Sequence, residues 1–289
     1  MRKLFVSIAA AVSLLVASFV SPVGFAPSAA SAAPPAYGYW LLAEDGGVFT
    51  FGSAAFYGST GNMRLNAPVV AMAATKSGNG YWLLAQDGGI FSFGDADFFG
   101  SLPGLGIEHA PATSLTRSHD GNGYYVSTAD GGVYTFGDAQ FFGAASSYGS
   151  RNVHFGLALT SSGFGYTQSS MDGAVYNFGD ATYKGGANAD NTRFPVLGVA
   201  RGKNNGYYQV AADGGVFSYG TSFYGSAAND SDFPVLGMAT TIGAGGYWLV
   251  ALDGGVFTYG DAPYLGSVPE QVKVENLNAP VIGITRSNP

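Results

Sequence analysis

Four basic side chains stand at matching places in this sequence. Lys76, Arg117, Arg201 and Arg286 each follow a short run of small and branched apolar residues, and Ser161 and Thr241 fill the place in two further copies. If those runs lie side by side around one axis, the four cations surround the mouth of a channel. A rim of like charge beside low-dielectric walls attracts anions. The candidate ligand-binding set is therefore Lys76, Arg117, Arg201 and Arg286, and the candidate ligand is an anionic glycan or cell-wall polymer. The competing expectation is that nearby carboxylates of the Asp95 type pair with these cations.

The acids fall into periodic sets that turn chemistry explains. Asp45, Asp87, Asp130, Asp172, Asp213 and Asp253 each precede a glycine between two apolar runs. Asp95, Asp138, Asp180 and Asp261 each follow a recurrent glycine, where an aspartate is expected to cap backbone N–H groups. Calcium sites use compact runs of alternating acidic ligands, and none is present. Glycoside hydrolysis needs two carboxyl groups at a set separation in one pocket. The glutamates, Glu44, Glu108, Glu270 and Glu275, lie beside a turn or in long connections.

His109, His119 and His154 have no metal-ligand spacing, there is no cysteine to assist, and each reads as a solvated loop residue. No Gly-x-Ser-x-Gly elbow and no phosphate-cradling glycine motif occurs. The expectation is no catalytic residue, no metal and no cofactor.

The elements that would position these groups recur. The Asp-Gly pairs are spaced by 42, 43, 42, 41 and 40 residues. Each copy resembles Gly80-Tyr81-Trp82-Leu83-Leu84-Ala85-Gln86-Asp87-Gly88-Gly89-Ile90-Phe91-Ser92-Phe93-Gly94-Asp95-Ala96. Asp-Gly between aromatic and β-branched runs predicts a hairpin with a type I′ turn. The first strand of the hairpin is apolar on both faces, so its sheet must be covered on both sides. Radially stacked sheets meet that need.

A third strand type, such as Pro68-Val69-Val70-Ala71-Met72-Ala73-Ala74-Thr75, recurs at Pro195, Pro234 and Pro280. Its small residues suit an innermost strand where sheets converge. The first copy lacks this strand before its hairpin, and Val281 to Arg286 supplies one after the last hairpin. The fold predicted is all-β: a six-bladed β-propeller with about 42 residues per blade, closed by the C-terminal strand completing blade one. A β-helix or open β array is the alternative. Blade four is polar where others are apolar, from Tyr166 to Met171. Either it has drifted, or it presents a surface to a partner.

Residues 1–32 read as a secretory signal peptide: Arg2 and Lys3, an apolar core from Leu4 to Val20, and Ala30-Ser31-Ala32 before the cut. An uncleaved anchor is the alternative. Residues 33–289 then form a single domain, expected to be a monomer with no later transmembrane segment. Removing the two cations Arg2 and Lys3 takes the net charge from -7 to -9, which argues against general nucleic-acid binding. Without cysteine, no disulfide holds the exported fold.

The run from Gly246 to Ser267, GYWLVALDGGVFTYGDAPYLGS, resembles a repeat of secreted actinobacterial-type proteins. The likeness covers essentially all of residues 33–289. It implies export and a propeller-like accessory module, often joined to cell-wall hydrolases or peptidases, and it brings no catalytic residues. The function expected is a secreted, non-catalytic module binding an extracellular glycan or envelope polymer, located outside the cell, free or associated with the wall. The alternatives are a protein-interaction scaffold using the loops 144–155 and 268–278, and a glycosidase-like propeller enzyme.

Overall fold

The computed structural model describes residues 37–287 except 191 and 229, so the expected leader lies outside the described residues. The strands follow the repeat. First come β1 (Gly38–Ala43) and β2 (Val48–Gly52), then β3 (Val69–Ala74), β4 (Gly80–Ala85) and β5 (Ile90–Gly94). The third repeat gives β6 (Ala112–Arg117), β7 (Gly123–Thr128) and β8 (Val133–Gly137), and the fourth β9 (His154–Leu159), β10 (Gly165–Ser170) and β11 (Val175–Gly179). The last are β12 (Val196–Arg201), β13 (Tyr207–Ala211), β14 (Val216–Tyr219), β15 (Val235–Thr240), β16 (Gly246–Ala251), β17 (Val256–Gly260) and β18 (Val281–Arg286).

These strands make six three-stranded antiparallel sheets, an all-β architecture consistent with a six-bladed propeller. Five sheets use consecutive strands, and the sixth has the order β18-β1-β2. Arg286 pairs with Tyr39 and Val281 with Ala43. The first strands of the sheets pack on one another in a cycle: β18 on β3, β3 on β6, β6 on β9, β9 on β12, β12 on β15 and β15 on β18. They approach closely enough that a Cβ on Gly237 would lie 3.2 Å from the Gly283 Cα. This is the close approach that the small residues of these strands were expected to serve.

The middle strands β1, β4, β7, β10, β13 and β16 are buried along their whole length. Their two faces join two different cores. Trp40 and Leu42 meet Tyr81 and Leu83 of the next sheet, while Tyr39 and Leu41 meet Trp248 and Val250 of the preceding one. The Trp40 and Tyr81 rings meet edge-on at 5.2 Å, a geometry worth about 1 kcal/mol beyond area burial.

A tyrosine at the second position of each repeat ties its sheet to the one before. The Tyr81 hydroxyl donates to the Gly58 carbonyl, Tyr124 to Gly100, Tyr166 to Gly143, Tyr207 to Gly185 and Tyr247 to Gly225. Tyr39 donates in the same way to Gly266.

The hairpin turn differs from the type I′ expected. Among the described residues, the positive-φ residues other than glycine are Asn204, Asn205 and Ala244, so the turn aspartates are not left-handed. Gly46 takes the left-handed conformation alone, at φ 80°, and its N–H closes a turn on the Ala43 carbonyl. The Asp45 carboxylate accepts from the Gly47 N–H at 2.8 Å. The loop is thus a three-residue turn ending in a left-handed glycine, and aspartate serves as an acceptor there.

Repeat four is not a partner surface along β10. Thr167, Gln168, Ser169 and Ser170 are all buried. Gln168 accepts from the Ala145 N–H at 2.9 Å and donates to the Gly131 carbonyl. Gln209 of the next sheet accepts from the Ala187 N–H and donates to the Ser169 hydroxyl. Hydrophobic clusters join the other neighbouring sheets, Gln168 adds hydrogen bonds between repeats three and four, and the junction of repeats four and five is held by the hydrogen bonds of Gln209.

Candidate functional site

Every first strand of a sheet ends beside the start of a middle strand, and this end is opposite the Asp-Gly turns. Arg286 faces Tyr39 in the register, Arg117 faces Tyr124 and Arg201 faces Tyr207. The corresponding residues of the other sheets are Ala74, Leu159 and Thr240, facing Tyr81, Tyr166 and Tyr247. Taken round the cycle, the strand-end residues read Arg286, Ala74, Arg117, Leu159, Arg201 and Thr240. Arginine occupies every second sheet.

Lys76 is therefore not the equivalent of the arginines. It lies two residues beyond Ala74, in the connection to β4, and is exposed. Ser161 is its counterpart in repeat four, and Thr241 matches Thr75. Even so, Lys76, Arg117, Arg201 and Arg286 all line one cavity of about 550 Å³, together with His119. The apolar part of its wall comes from Leu157, Leu159, Val199 and Ile242. No carboxylate of the described residues lines it.

The expected pairing with aspartates does not occur. Among the described residues the one ion pair is Lys273 with Glu275, at 3.8 Å on the surface. Asp95 instead accepts from the hydroxyls of Thr75 and Ser77, Asp180 from Thr160 and Ser162, and Asp261 from Thr241. Hydroxyl groups are thus the main partners of these aspartates, and a backbone N–H of the kind expected adds to them at Asp180. The Ser162 and Thr160 hydrogen bonds hold the Asp180 carboxyl below its usual range. Among the described residues no carboxylate forms an ion pair with these arginines.

Their electrostatics show it. Burial, and then the charges of Arg201 and Arg117, push the Arg286 guanidinium down to about 10. Burial and Arg201 push Arg117 down as well. The charges of Arg201 and Arg117 thus disfavour the charged form of Arg286, and that of Arg201 the charged form of Arg117. One Nη of Arg286 donates to the Thr240 carbonyl at 3.0 Å, fixing that side chain between two sheets. Nη1 of Arg117 is buried and has no hydrogen-bond partner.

The histidines differ from one another. His119 is exposed at the cavity. His109 bonds the Ala110 carbonyl through Nδ1 at 2.8 Å. His154 is not a solvated loop residue: it begins β9, is 1% exposed, and neither ring nitrogen has a partner. It stands where other sheets carry Val69, Ala112, Val196, Val235 and Val281. Among the described residues no group of three His, Asp or Glu side chains is placed to hold a metal ion.

Sequence reasoning missed a second periodic feature. Phe56, Phe98, Phe141, Tyr183, Phe223 and Tyr264 are exposed, each about half or more, at one position per repeat. The signal was the aromatic pair before a recurrent glycine, as in Phe98-Phe99-Gly100. Phe99 packs on Tyr124 at 5.6 Å, and its neighbour faces solvent.

Comparison with family models and with curated proteins finds no match to this chain. Its function is accordingly read from the geometry.

Proposed function

We propose that the chain is a secreted, non-catalytic six-bladed β-propeller of the actinobacterial-type repeat class, binding an anionic glycan or cell-envelope polymer. The binding site is the opening lined by Lys76, Arg117, Arg201 and Arg286. The observation that carries this reading is the gathering of four cations on one cavity of about 550 Å³, with no carboxylate of the described residues in its wall. Partly desolvated like charges disfavour each other, and an incoming anion relieves both penalties.

The exposed aromatic of each repeat supports a sugar-bearing ligand, since an aromatic ring packs on the apolar face of a pyranose. The cavity offers no pair of carboxyl groups, so the acid–base arrangement of a glycosidase has no support there. The test is binding of the purified protein to envelope fractions and to charged and neutral glycans over a range of salt. Saturable binding to anionic polymers that weakens with salt is the expected result. Binding to no sugar or wall fraction overturns the reading and favours a protein scaffold using the loops 144–155 and 268–278.

A further inference from the structure

The alternation of arginine with uncharged residues round the opening specifies more than a basic rim. Arg286, Arg117 and Arg201 come from every second sheet, and Ala74, Leu159 and Thr240 stand between them. Three equivalent arms at every second place of a six-membered cycle approximate a threefold arrangement. Guanidinium groups are planar forks that bind oxyanions through paired N–H groups, unlike the point charge of lysine. Arg286 is held by the Thr240 carbonyl, which orients its remaining donors. Arg117 keeps a buried Nη1 with no acceptor.

We propose that Arg117, Arg201 and Arg286 form a three-armed receptor for one tetrahedral oxyanion, a phosphate or sulfate ester group. Such a group has three terminal oxygens arranged about the axis of its ester bond, one for each arginine. The ester oxygen then points out along the channel axis toward the rest of the ligand. A carboxylate has two oxygens in one plane and leaves one arm without a partner. Lys76, further out in its connecting loop, adds charge to the rim but does not select the group. This rests on the anionic-polymer reading and names the chemical group that reading requires.

The experiment is calorimetric titration of the full chain with inorganic phosphate, inorganic sulfate, phenyl phosphate and the carboxylate polymer polygalacturonate. It is repeated for Arg117→Gln, Arg201→Gln, Arg286→Gln, Arg201→Lys and Lys76→Gln, with melting curves as the check on folding. Each arginine variant should weaken phenyl phosphate binding about tenfold or more, and Arg201→Lys should lose most of that as well. Lys76→Gln should change it less than about threefold. Inorganic phosphate and sulfate compared with phenyl phosphate tell which oxyanion is preferred.

Equal losses from Lys76→Gln and the arginine variants overturn the receptor and leave only a diffuse basic rim. Polygalacturonate binding as well as phenyl phosphate, with arginine variants affecting both alike, overturns the oxyanion selectivity while sparing the anionic-polymer reading. Phenyl phosphate bound through the arginines, with no envelope polymer bound, retains the receptor and discards the polymer. Absence of binding to every anion overturns both.

Discussion

The hydroxyl of Tyr39 donates to the carbonyl of Gly266 at 2.5 Å, across 227 positions of sequence. It is the same contact that Tyr81 makes to Gly58, 23 positions away. First and last repeats are thus neighbours in the sense that consecutive repeats are. Replacing Tyr39 by Phe should cost about 1–2 kcal/mol, as for a lost buried hydrogen bond. Tyr81→Phe should cost a similar amount. Urea unfolding midpoints of the two variants check this, and a neutral Tyr39→Phe beside a destabilising Tyr81→Phe would show that the closing junction is not latched.

His154 should make the fold acid-sensitive. Burial pushes its imidazole below the ordinary value of 6.5, more strongly than Asp172 and Asp130 pull it up. Below the ordinary value the unfolded chain takes up a proton that the folded chain refuses. Stability therefore falls as pH drops from about 6.5 toward the lowered folded value, by at most about 1.4 kcal/mol per pH unit. His154→Val restores the residue type of the other sheets. It should raise stability at neutral pH by about 1–3 kcal/mol and flatten this slope. Melting temperatures of both proteins between pH 5 and pH 7.5 give the comparison.

The polar contact of Gln168 with repeat three should not tolerate simple reversion to the apolar pattern. Gln168→Leu matches Leu41, Leu83 and Leu249 in type but strands the Ala145 N–H, while the Gly131 carbonyl keeps the Ser146 N–H. A loss of about 1–3 kcal/mol is expected. A denaturant titration that finds the variant more stable would mean that the loop carrying Ala145 rearranges to water.

Glycines of the repeat should divide sharply by position. Gly88 has φ 79°, and a Cβ there would lie 2.5 Å from the Leu102 Cβ. Gly283 has no atom within 4 Å of such a Cβ. Gly88→Ala should lower stability by about 2 kcal/mol or more, from the left-handed backbone and the clash together. Gly283→Ala should be nearly neutral or slightly stabilising. Unfolding curves of the pair decide it.

The repeat was legible because its constraints are local. A left-handed residue after each turn aspartate requires glycine, and middle strands covered on both faces require apolar residues throughout. The channel site was only partly legible. Lys76 follows a run of small apolar residues as the arginines do, yet Arg117 lies seven residues before Tyr124, where counting back from Tyr81 reaches Ala74. Distance to the anchored tyrosine, and not the end of the small-residue run, carries the register. The connection before Tyr207 is one residue shorter, which hides the alternation further. His154 was hidden differently. β9 is bulged between its pairings to Gln168 and Ser170, so alternation along the strand does not reveal which face His154 takes. The partners of Asp95 and Asp180 come from 18 to 20 positions earlier in sequence, beyond the reach of a turn motif.

The pairing of β18 with β1 also sets an order of events. As the chain emerges from its N-terminal side, the sheets of β3 to β17 can each be completed from strands already in hand. The β1–β2 hairpin has to wait for Val281 to Arg286. Until then Trp40, Leu41 and Leu42, all fully enclosed in the finished fold, belong to a sheet with one strand missing. Contacts this distant in sequence form slowly. The interval before the last strand arrives is when this protein is most exposed to aggregation and proteolysis, and the latch of Tyr39 on Gly266 marks its end.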